Sequence, residues 1–576
     1  MSKTIGSTNT VSQELQTGTS EGSPSTQDSA APISSRPFNQ QFTLRGILIG
    51  LVGCVIITTS SVYIALRLGA LPWPIFFVVL LALFLLKAFA RKNPTNINEV
   101  NVAASVMSAG AMVAGGLAFT IPGIFILLGD TQVNWFIVAL CALSGVALGM
   151  IGTALFRKHF IDDSDLPFPI GLGATETLQA GDEGGRKAIM LFASVGVAGL
   201  FTIVRDGLGK LPQMLFGNVN LPGVAFGIYC SPMALAMGFM IGPLAALIWI
   251  LGGVVGNFGI VIGGVSLGFL EQTLAVAIRE SLGIGIMIGC GVGLIFKLVV
   301  PRIKTLFTSR ISPQKGSSIV AMHWAPFVVA AVVLLLAFVA KLGLLASIIL
   351  VLLTFIVVTM AAQSTGQAGL NPMEIFGVIV LLVVALITHV GGIEVFLVAA
   401  VATVACGFVG DLMNDFKVGK LLGTDPKAQW VGVSIGGIAG ALIGTAVIAV
   451  LVGAYGADAF GVAEGKEFVA AQASAVASMV GGISNLPAFF IGLLIGVVAS
   501  LLGAPVIMFG LGVYLPFYLS LTVAVGAGVR ALIGLFAPNW VKKEDGVIIA
   551  SGLLGGESIV AVIFALVTVV AGLGAL

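Results

Sequence analysis

The chain of 576 residues is poor in charge and in histidine. Asp, Glu, Lys and Arg make up 9% of it, whereas soluble globular domains carry about 25% charged residues. A chain this long with so few charges cannot cover itself with a polar surface in water. The composition therefore disfavours a soluble enzyme, a nucleic-acid-binding protein and a disordered scaffold.

Metal-ligating side chains are scarce as well. The three histidines are too few for zinc or di-iron catalysis in a membrane. The five cysteines lie far apart in apolar stretches without a CxxC pair, which indicates buried apolar side chains. We expect no metal centre and no cofactor.

Apolar residues and glycine fill the chain instead. Hydrophobic residues account for 58% of the sequence, and 77 residues are glycine. Apolar windows of about 20 residues recur from residue 44 onward and predict about 14 to 16 membrane-spanning elements. Several are broken by Gly or Pro, notably within 231–270 and 504–535. The predicted fold class is an all-α polytopic membrane protein embedded in a lipid bilayer.

Composition also divides the chain into regions. The first region is rich in Ser, Thr, Gln, Gly and Pro and lacks an apolar run, which predicts a disordered tail. A basic loop separates two apolar halves with a similar order of features, which predicts a weak internal repeat; chance similarity is the alternative. The predicted regions are the tail 1–43, the N-terminal half 44–300, the loop 301–320 and the C-terminal half 321–576.

The short loops predict the orientation in the membrane. Loops that hold Lys87 to Lys92, Arg157 to His159 and 301–320 are basic, whereas the 455–467 loop is acidic. Because basic loops remain in the cytoplasm, we expect a cytoplasmic N-terminus and basic loops, in the plasma or inner membrane of the cell.

The segment from Asp165 to Glu176 is the first candidate site. Its two prolines favour an extended entry, and its two glycines permit close approach of a backbone. A short helix with Thr175 and Glu176 follows, and its free N–H groups would point into a cavity. Glu176 would then face substrate or a proton path. The alternative is an interfacial loop with a surface helix.

The second candidate site follows a long apolar stretch and contains Asp411, Asp415 and Lys417. The two acids are four residues apart and share a helix face. Since like charges repel, one of them could take up a proton near neutral pH. The alternative places all three at the membrane surface.

Amide side chains form the third candidate site. Asn98 and Asn101 precede a span rich in Ser, Ala and Gly and would line a polar cavity, with helix capping as the alternative. Gln363 and Asn371 are further candidate cavity liners. Acids in other apolar stretches are Glu280, Glu374 and Glu557.

Five stretches follow one another along the chain: Leu166-Pro167-Phe168-Pro169 with Gly171 and Ala174-Thr175-Glu176, Ser231 to Pro243, Gly410 to Pro426, Gly510 to Phe517, and Ala550 to Glu557. In this order they resemble motifs of the oligopeptide transporter (OPT) family, which includes the yellow-stripe-like metal-chelate transporters. The first stretch is similar to the family's "PFPEGxACAEVLKAG". Ile170 stands where the family has a glutamate, and the chain looks closer to the prokaryotic-type members.

The resemblance implies a proton-coupled symporter of small peptides or peptide-like metal chelates, working by alternating access. Glu176 and Asp411 are then the expected substrate- or proton-contacting carboxylates, with Asp415 and Lys417 as supporting partners. Two other functions stay open: an uncoupled channel for small polar solutes, and a membrane-embedded enzyme. The G-x-S-x-G strings at 264–268 and 432–436 lie in apolar helical stretches and do not support the enzyme. Homo-oligomerisation is also left open.

Overall fold

A computed structural model describes residues 37–69, 75–89, 95–129, 131–182, 186–217, 219–294, 296–297, 319, 322–368, 371–463, 465–504, 506–537 and 545–573. The predicted tail up to residue 36, the Asn93-Pro94 pair and nearly all of the 301–320 loop lie outside these residues.

Twelve of the described helices precede the basic loop, with two small antiparallel β-ribbons between α8 and α9. The helices are α1 (Phe38–Gln41), α2 (Leu44–Leu68), α3 (Ile75–Ala88), α4 (Ile97–Ala118), α5 (Pro122–Leu128), α6 (Trp135–Arg157), α7 (Pro169–Asp182), α8 (Arg186–Thr202), α9 (Pro232–Ile241), α10 (Pro243–Gly253), α11 (Gly264–Ser266) and α12 (Gln272–Leu294). The strands are β1 (Met214–Leu215), β2 (Asn220–Leu221), β3 (Val224–Ala225) and β4 (Ile228–Tyr229), paired as β1–β4 and β2–β3.

The α-helices described after the basic loop are α13 (Ala325–Leu334), α14 (Leu344–Ala368), α15 (Met373–Thr388), α16 (Glu394–Leu422), α17 (Pro426–Tyr455), α18 (Ala471–Gly481), α19 (Leu486–Leu501), α20 (Val506–Tyr514), α21 (Phe517–Phe536) and α22 (Asp545–Leu573). Wider π-helical turns extend α6, α8, α10 and α13 at their C-terminal ends.

The described segments contain 11 helices that are long and apolar enough to cross a membrane, and five shorter apolar helices of 10–17 residues. The protein is therefore a multi-pass all-α membrane protein, and the predicted fold class is confirmed. The two stretches that sequence predicts to be broken are each divided: Gly242 (φ 84°) separates α9 from α10, and Pro516 lies between α20 and α21.

Helix α16 is buried along nearly its full length, and its enclosed residues are mostly apolar or small. It packs against α4, α6, α14 and α15. At 1.5 Å per residue its 29 residues extend about 43 Å, more than the hydrocarbon thickness of a bilayer. Its polar side chains Asp411, Asn414 and Asp415 are buried inside the protein.

Two groups of described helices can be distinguished by their contacts within one compact unit. The α16 group comprises α2, α4, α6, α14, α15, α16 and α17; the α12 group comprises α8, α9, α10, α12, α19, α20, α21 and α22. Each group takes helices from both predicted halves of the chain. The groups meet where α22 packs on α2 and α17, and where α15 faces α12.

Candidate functional site

Asp411 lies deep inside the α16 group. Counting along the helix places it about 26 Å from the Glu394 end and about 17 Å from the Leu422 end, and it is 8% exposed. A carboxylate at this depth is costly unless it meets a partner, a cavity or a proton. The protein itself therefore encloses Asp411 at this position, with Asn371 as its hydrogen-bond partner.

Asn371 is the partner that the structure gives to Asp411. Its Nδ2 donates to Asp411 Oδ2 at 2.9 Å and to the Cys406 carbonyl at 3.1 Å. The approach depends on Gly410, since a Cβ there would lie 2.6 Å from the Asn371 Nδ2. Asn371 immediately precedes the Pro372 cap of α15, so a helix begins beside the buried acid.

Asp415 lies one turn further along α16 and is 5% exposed. Its carbonyl accepts a hydrogen bond from Gln429 Nε2 at 2.6 Å. Its carboxylate Oδ2 has no hydrogen-bond partner within the described segments. Neither Asp411 nor Asp415 forms an ion pair with a described Lys, Arg or His.

Asn98 and Asn101 connect α4 to the end of α16. Thr424 Oγ1 donates to Asn98 Oδ1 at 3.2 Å and accepts from Asn101 Nδ2 at 3.1 Å. Gln429 Nε2 also donates to Ser105 Oγ at 3.0 Å. The Asn98 and Asn101 side chains are both buried, so the structure shows them fixing the packing of α4 against α16 and α17.

The proline segment packs against the same helix. Gly171 N donates to Asn414 Oδ1 at 3.3 Å, and Lys417 Nζ donates to the Leu166 carbonyl at 3.1 Å. Phe168 has a φ of 47°, and its N–H donates to the Gly366 carbonyl at 2.9 Å. The segment that the sequence analysis singles out therefore crosses α16 near its buried polar residues and also contacts the end of α14.

Thr175 and Gln363 lie in the helices that flank this crossing. Thr175 is buried in α7, and its Oγ1 donates to the Gly171 carbonyl at 2.9 Å. Gln363 is buried on α14, next to Ser364. Glu176 lies in α7, but its side chain is outside the described residues.

Another buried acid, Glu557 on α22, is held by a full set of donors. Arg205 Nη1 approaches its Oε1 at 2.9 Å, and both side chains are almost fully enclosed. Ser231 Oγ and the Met233 N–H each donate to Oε2 at 2.8 Å. Met233 lies in the first turn of α9, so Glu557 also satisfies a free N–H group of that helix.

Arg67 and Glu99 belong to similar networks. Arg67 donates to the Tyr229 hydroxyl and lies 2.6 Å from the Glu467 carboxylate. Burial raises the pKa of the Tyr229 phenol to about 12, so it accepts these bonds as a neutral group. Glu99 accepts from Arg45 Nη2 at 2.5 Å.

Arg45, Arg67 and Arg205 are not among the residues predicted from the sequence. The available signal was an arginine inside or next to an apolar span, which is costly in a bilayer unless it is paired. Arg67 stands near the end of the first span, and Arg205 follows the apolar stretch of α8. Arg205 also pairs with the adjacent Asp206. Glu467 and Glu557, the other partners of Arg67 and Arg205, are remote in sequence, so those pairs could not be predicted from spacing.

A resident metal has no support in the described part of the chain. No three His, Cys, Asp or Glu side chains there lie close enough to hold a metal ion. The chemistry available at α16 is hydrogen bonding and the gain or loss of a proton by Asp411 or Asp415.

Comparison with known proteins agrees with this architecture. The sequence profile of the family described as "OPT oligopeptide transporter protein" matches residues 41–289 and 302–568. A protein of Haemophilus influenzae described as "Putative oligopeptide transporter" is 25% identical over 597 aligned residues, covering 88% of this chain and 92% of the relative. The match includes helices of both groups and the buried acids on α16, and the chain belongs to the oligopeptide transporter family.

Proposed function

We propose that this protein is a proton-coupled symporter that moves small peptides, or peptide-like metal chelates, across the cell membrane by alternating access. The burial of Asp411 without a cationic partner is the observation that carries the proposal. It is a carboxylate deep in the central helix, its partner is a neutral amide, and no described cation pairs with it.

A carboxylate in this setting is suited to exchange protons. In a low-dielectric interior the charged form is disfavoured, and an amide offsets only part of that cost. Protonation removes the charge without breaking the helix packing. A change of access that exposes Asp411 to water on one side would then load or release a proton.

Asp415 and Glu176 are the proposed supporting carboxylates. Asp415 is buried one turn from Asp411 with an unpartnered Oδ2, so it is available to share the proton. The assignment of Glu176 rests on the family motif and on the position of this residue in α7. That helix follows the proline segment that crosses α16. Lys417, which binds the Leu166 carbonyl, would keep that segment against α16.

The two helix groups are the proposed moving parts. Transporters of this size often move one bundle against another around a site between them. The α16 group holds the proposed proton-binding acids, and the α12 group packs around α12 and α19. We also propose that the N-terminus and the 301–320 loop are cytoplasmic, on the charge pattern of the loops.

Uptake into proteoliposomes tests the function. Purified protein is reconstituted and given a panel of di- to pentapeptides, peptide-like iron chelates and free amino acids, with and without an inward proton gradient. We expect accumulation of at least one peptide or chelate above equilibrium, abolished by a protonophore. Uptake that only equilibrates and ignores the gradient would instead establish the uncoupled channel.

Glu176→Gln tests the second carboxylate. We expect gradient-driven uptake to fall while expression and elution on size-exclusion chromatography stay unchanged, because the substitution removes a proton-binding group without changing the side-chain volume. Transport at the wild-type rate would remove Glu176 from the site.

A further inference from the structure

Arg67 and Tyr229 make a polar contact at the boundary between the two helix groups. Arg67 lies in the last turn of α2, in the α16 group, and is 7% exposed. Its Nε donates to the Tyr229 hydroxyl at 2.9 Å, and its Nη2 donates to the same oxygen. Its guanidinium carbon lies 5.0 Å from the centre of the Tyr229 ring. Both the hydroxyl and the ring of one tyrosine are therefore held by one arginine.

Tyr229 itself is fixed to the α12 group. Its backbone N–H donates to Thr522 Oγ1 on α21 at 2.8 Å, and β4, which contains it, directly precedes α9. The next carbonyl, that of Cys230, accepts from Arg205 Nη1 at 2.6 Å, and Arg205 pairs with Glu557 on α22. The contact therefore joins α2 to a residue that would move with α9, α21 and α22.

The charges at this contact are paired on their own sides of the boundary. Arg67 Nη1 lies 2.6 Å from Glu467 Oε1. The chain after Glu467 is tied to α2, since the Ala470 N–H donates to the Leu66 carbonyl at 2.8 Å. The arginine beside Tyr229 in the α12 group likewise keeps its own acid. Separating α2 from Tyr229 would break hydrogen bonds to a neutral hydroxyl and leave no buried charge unpaired, which is the costly outcome.

We propose that Arg67 and Tyr229 form a gate that closes one side of the transport path and opens when the two helix groups move apart. The 455–467 loop, which supplies Glu467, is acidic, and this favours the side of the membrane opposite the basic loops. The gate therefore faces outward. This inference rests on the alternating access of the proposed function and adds the contact that has to open.

The thiol of Cys230 reports on the gate, because it follows Tyr229 directly and is half-buried, whereas the other four cysteines are buried. Right-side-out membrane vesicles that contain the full chain are treated with a membrane-impermeant maleimide, and the labelling rate is measured. Tyr229→Phe removes the hydroxyl and keeps the ring. We expect it to raise the labelling rate at least about fivefold, because hydrogen bonds to a charged group are among the stronger ones.

Tyr455→Phe is the matched control. Tyr455 lies close to the same loop, with its ring 5.2 Å from that of Phe468, but its hydroxyl makes no hydrogen bond to another described residue. This variant loses a hydroxyl without losing the contact between the groups. It should keep the wild-type labelling rate.

Arg67→Met provides the second arm. It removes the same contact from the other side, so it should also raise the labelling rate. The double variant Arg67→Met/Tyr229→Phe should label no faster than the faster single variant, because two residues that act through one contact are not additive. Each increase should vanish when Cys230→Ser is added, which shows that Cys230 is the labelled thiol.

Four results would overturn the gate. They are equal rates for Tyr229→Phe and Tyr455→Phe, a double variant whose increase is the product of the two single increases, an increase that persists with Cys230→Ser and so reports unfolding, and an increase seen only in inside-out vesicles. None of these measurements uses a solute or a proton gradient. The gate can therefore fail while peptide transport stands, and a failure of the proteoliposome uptake would overturn the proposed function without changing the labelling result.

Discussion

Buried acids in this protein fall into two regions that differ in their partners. Glu557 and Glu99 each pair with an arginine, whereas Asp411 has an amide and Asp415 has an unpartnered carboxylate oxygen. All four are less than 9% exposed. Burial alone therefore does not distinguish these four acids; their partners do.

The two regions should respond to mutation in opposite ways. In a paired region both charges are needed, because removing one leaves the other buried without compensation. In the unpaired region the charge is itself the cost, so neutralising it relieves strain on the fold while removing the proton site. The following predictions test that difference, from the largest expected effect to the smallest.

Arg205→Met should have the largest effect on the fold. It leaves Glu557, whose side chain is 0% exposed, with only Ser231 and a backbone N–H as donors. Breaking a buried pair in this way costs about 3–5 kcal/mol. We expect a strong fall in the thermal unfolding temperature of the purified protein and in its monodisperse yield.

Arg530→Met is the control for this prediction. Arg530 donates to the Phe239 and Met240 carbonyls and has no acidic partner in the described segments, so its loss should cost less than that of Arg205. Equal losses would mean that pairing with Glu557 is not what makes Arg205 important.

Asp411→Asn should have the largest effect on transport with little effect on the fold. The new amide can still accept the hydrogen bond from Asn371, and no described cation is left unpaired. We expect the unfolding temperature to be unchanged or raised, and gradient-driven uptake to fall at least about 10-fold, equivalent to about 1.4 kcal/mol. Residual uptake should no longer respond to a protonophore or to external pH.

A stable variant with the wild-type pH profile would contradict the assignment of Asp411. A variant that unfolds would place Asp411 with the paired acids instead. Unfolding temperature and pH profile together therefore test both the role of Asp411 and the distinction between paired and unpaired acids.

The sequence predicts the fold class and the unpaired region around Asp411, but not the acid–arginine pairs. A shortage of charge and long apolar windows are sufficient for an all-α membrane protein, because the bilayer leaves few alternatives to spanning helices. Asp411 and the proline segment are also found, since local motifs and polar residues in apolar surroundings are visible in the chain.

The partners could not be predicted in the same way. Arg205 and Glu557 are 352 residues apart, and Lys417 and Leu166 are 251 apart. Which helices become neighbours is decided by packing along their whole length, in which small residues allow close contact. Without that arrangement, a paired acid and an unpaired acid look alike in the sequence.

Gly410→Ala tests the unpaired region without changing any charge. The added Cβ would lie 2.6 Å from Asn371 Nδ2 and 3.1 Å from the Ala361 Cβ, so Asn371 must move away from Asp411. Overpacking of this kind costs about 1–3 kcal/mol. We expect partial loss of proton-coupled uptake, between that of Asp411→Asn and wild type.

Gly196→Ala is the matched control, because no atom lies within 4 Å of a Cβ at that helical position. It should leave uptake unchanged and slightly raise stability, since alanine is the better helix former. If both glycine variants behave alike, the close approach of Asn371 to α16 has no part in coupling.

Lys417→Met should have the smallest effect. Lys417 is half-buried, its Nζ donates to the Leu166 carbonyl at 3.1 Å, and it forms no ion pair with Asp411 or Asp415. A single hydrogen bond of this kind contributes about 1.5–3 kcal/mol when enclosed, and partial exposure reduces that. We expect a two- to threefold fall in uptake with the proton dependence intact, because the methionine stem still packs against the proline segment. If proton dependence is lost instead, Lys417 acts as a counter-charge to the acids on α16 during transport, and the distinction between paired and unpaired acids would hold for only one state of the cycle.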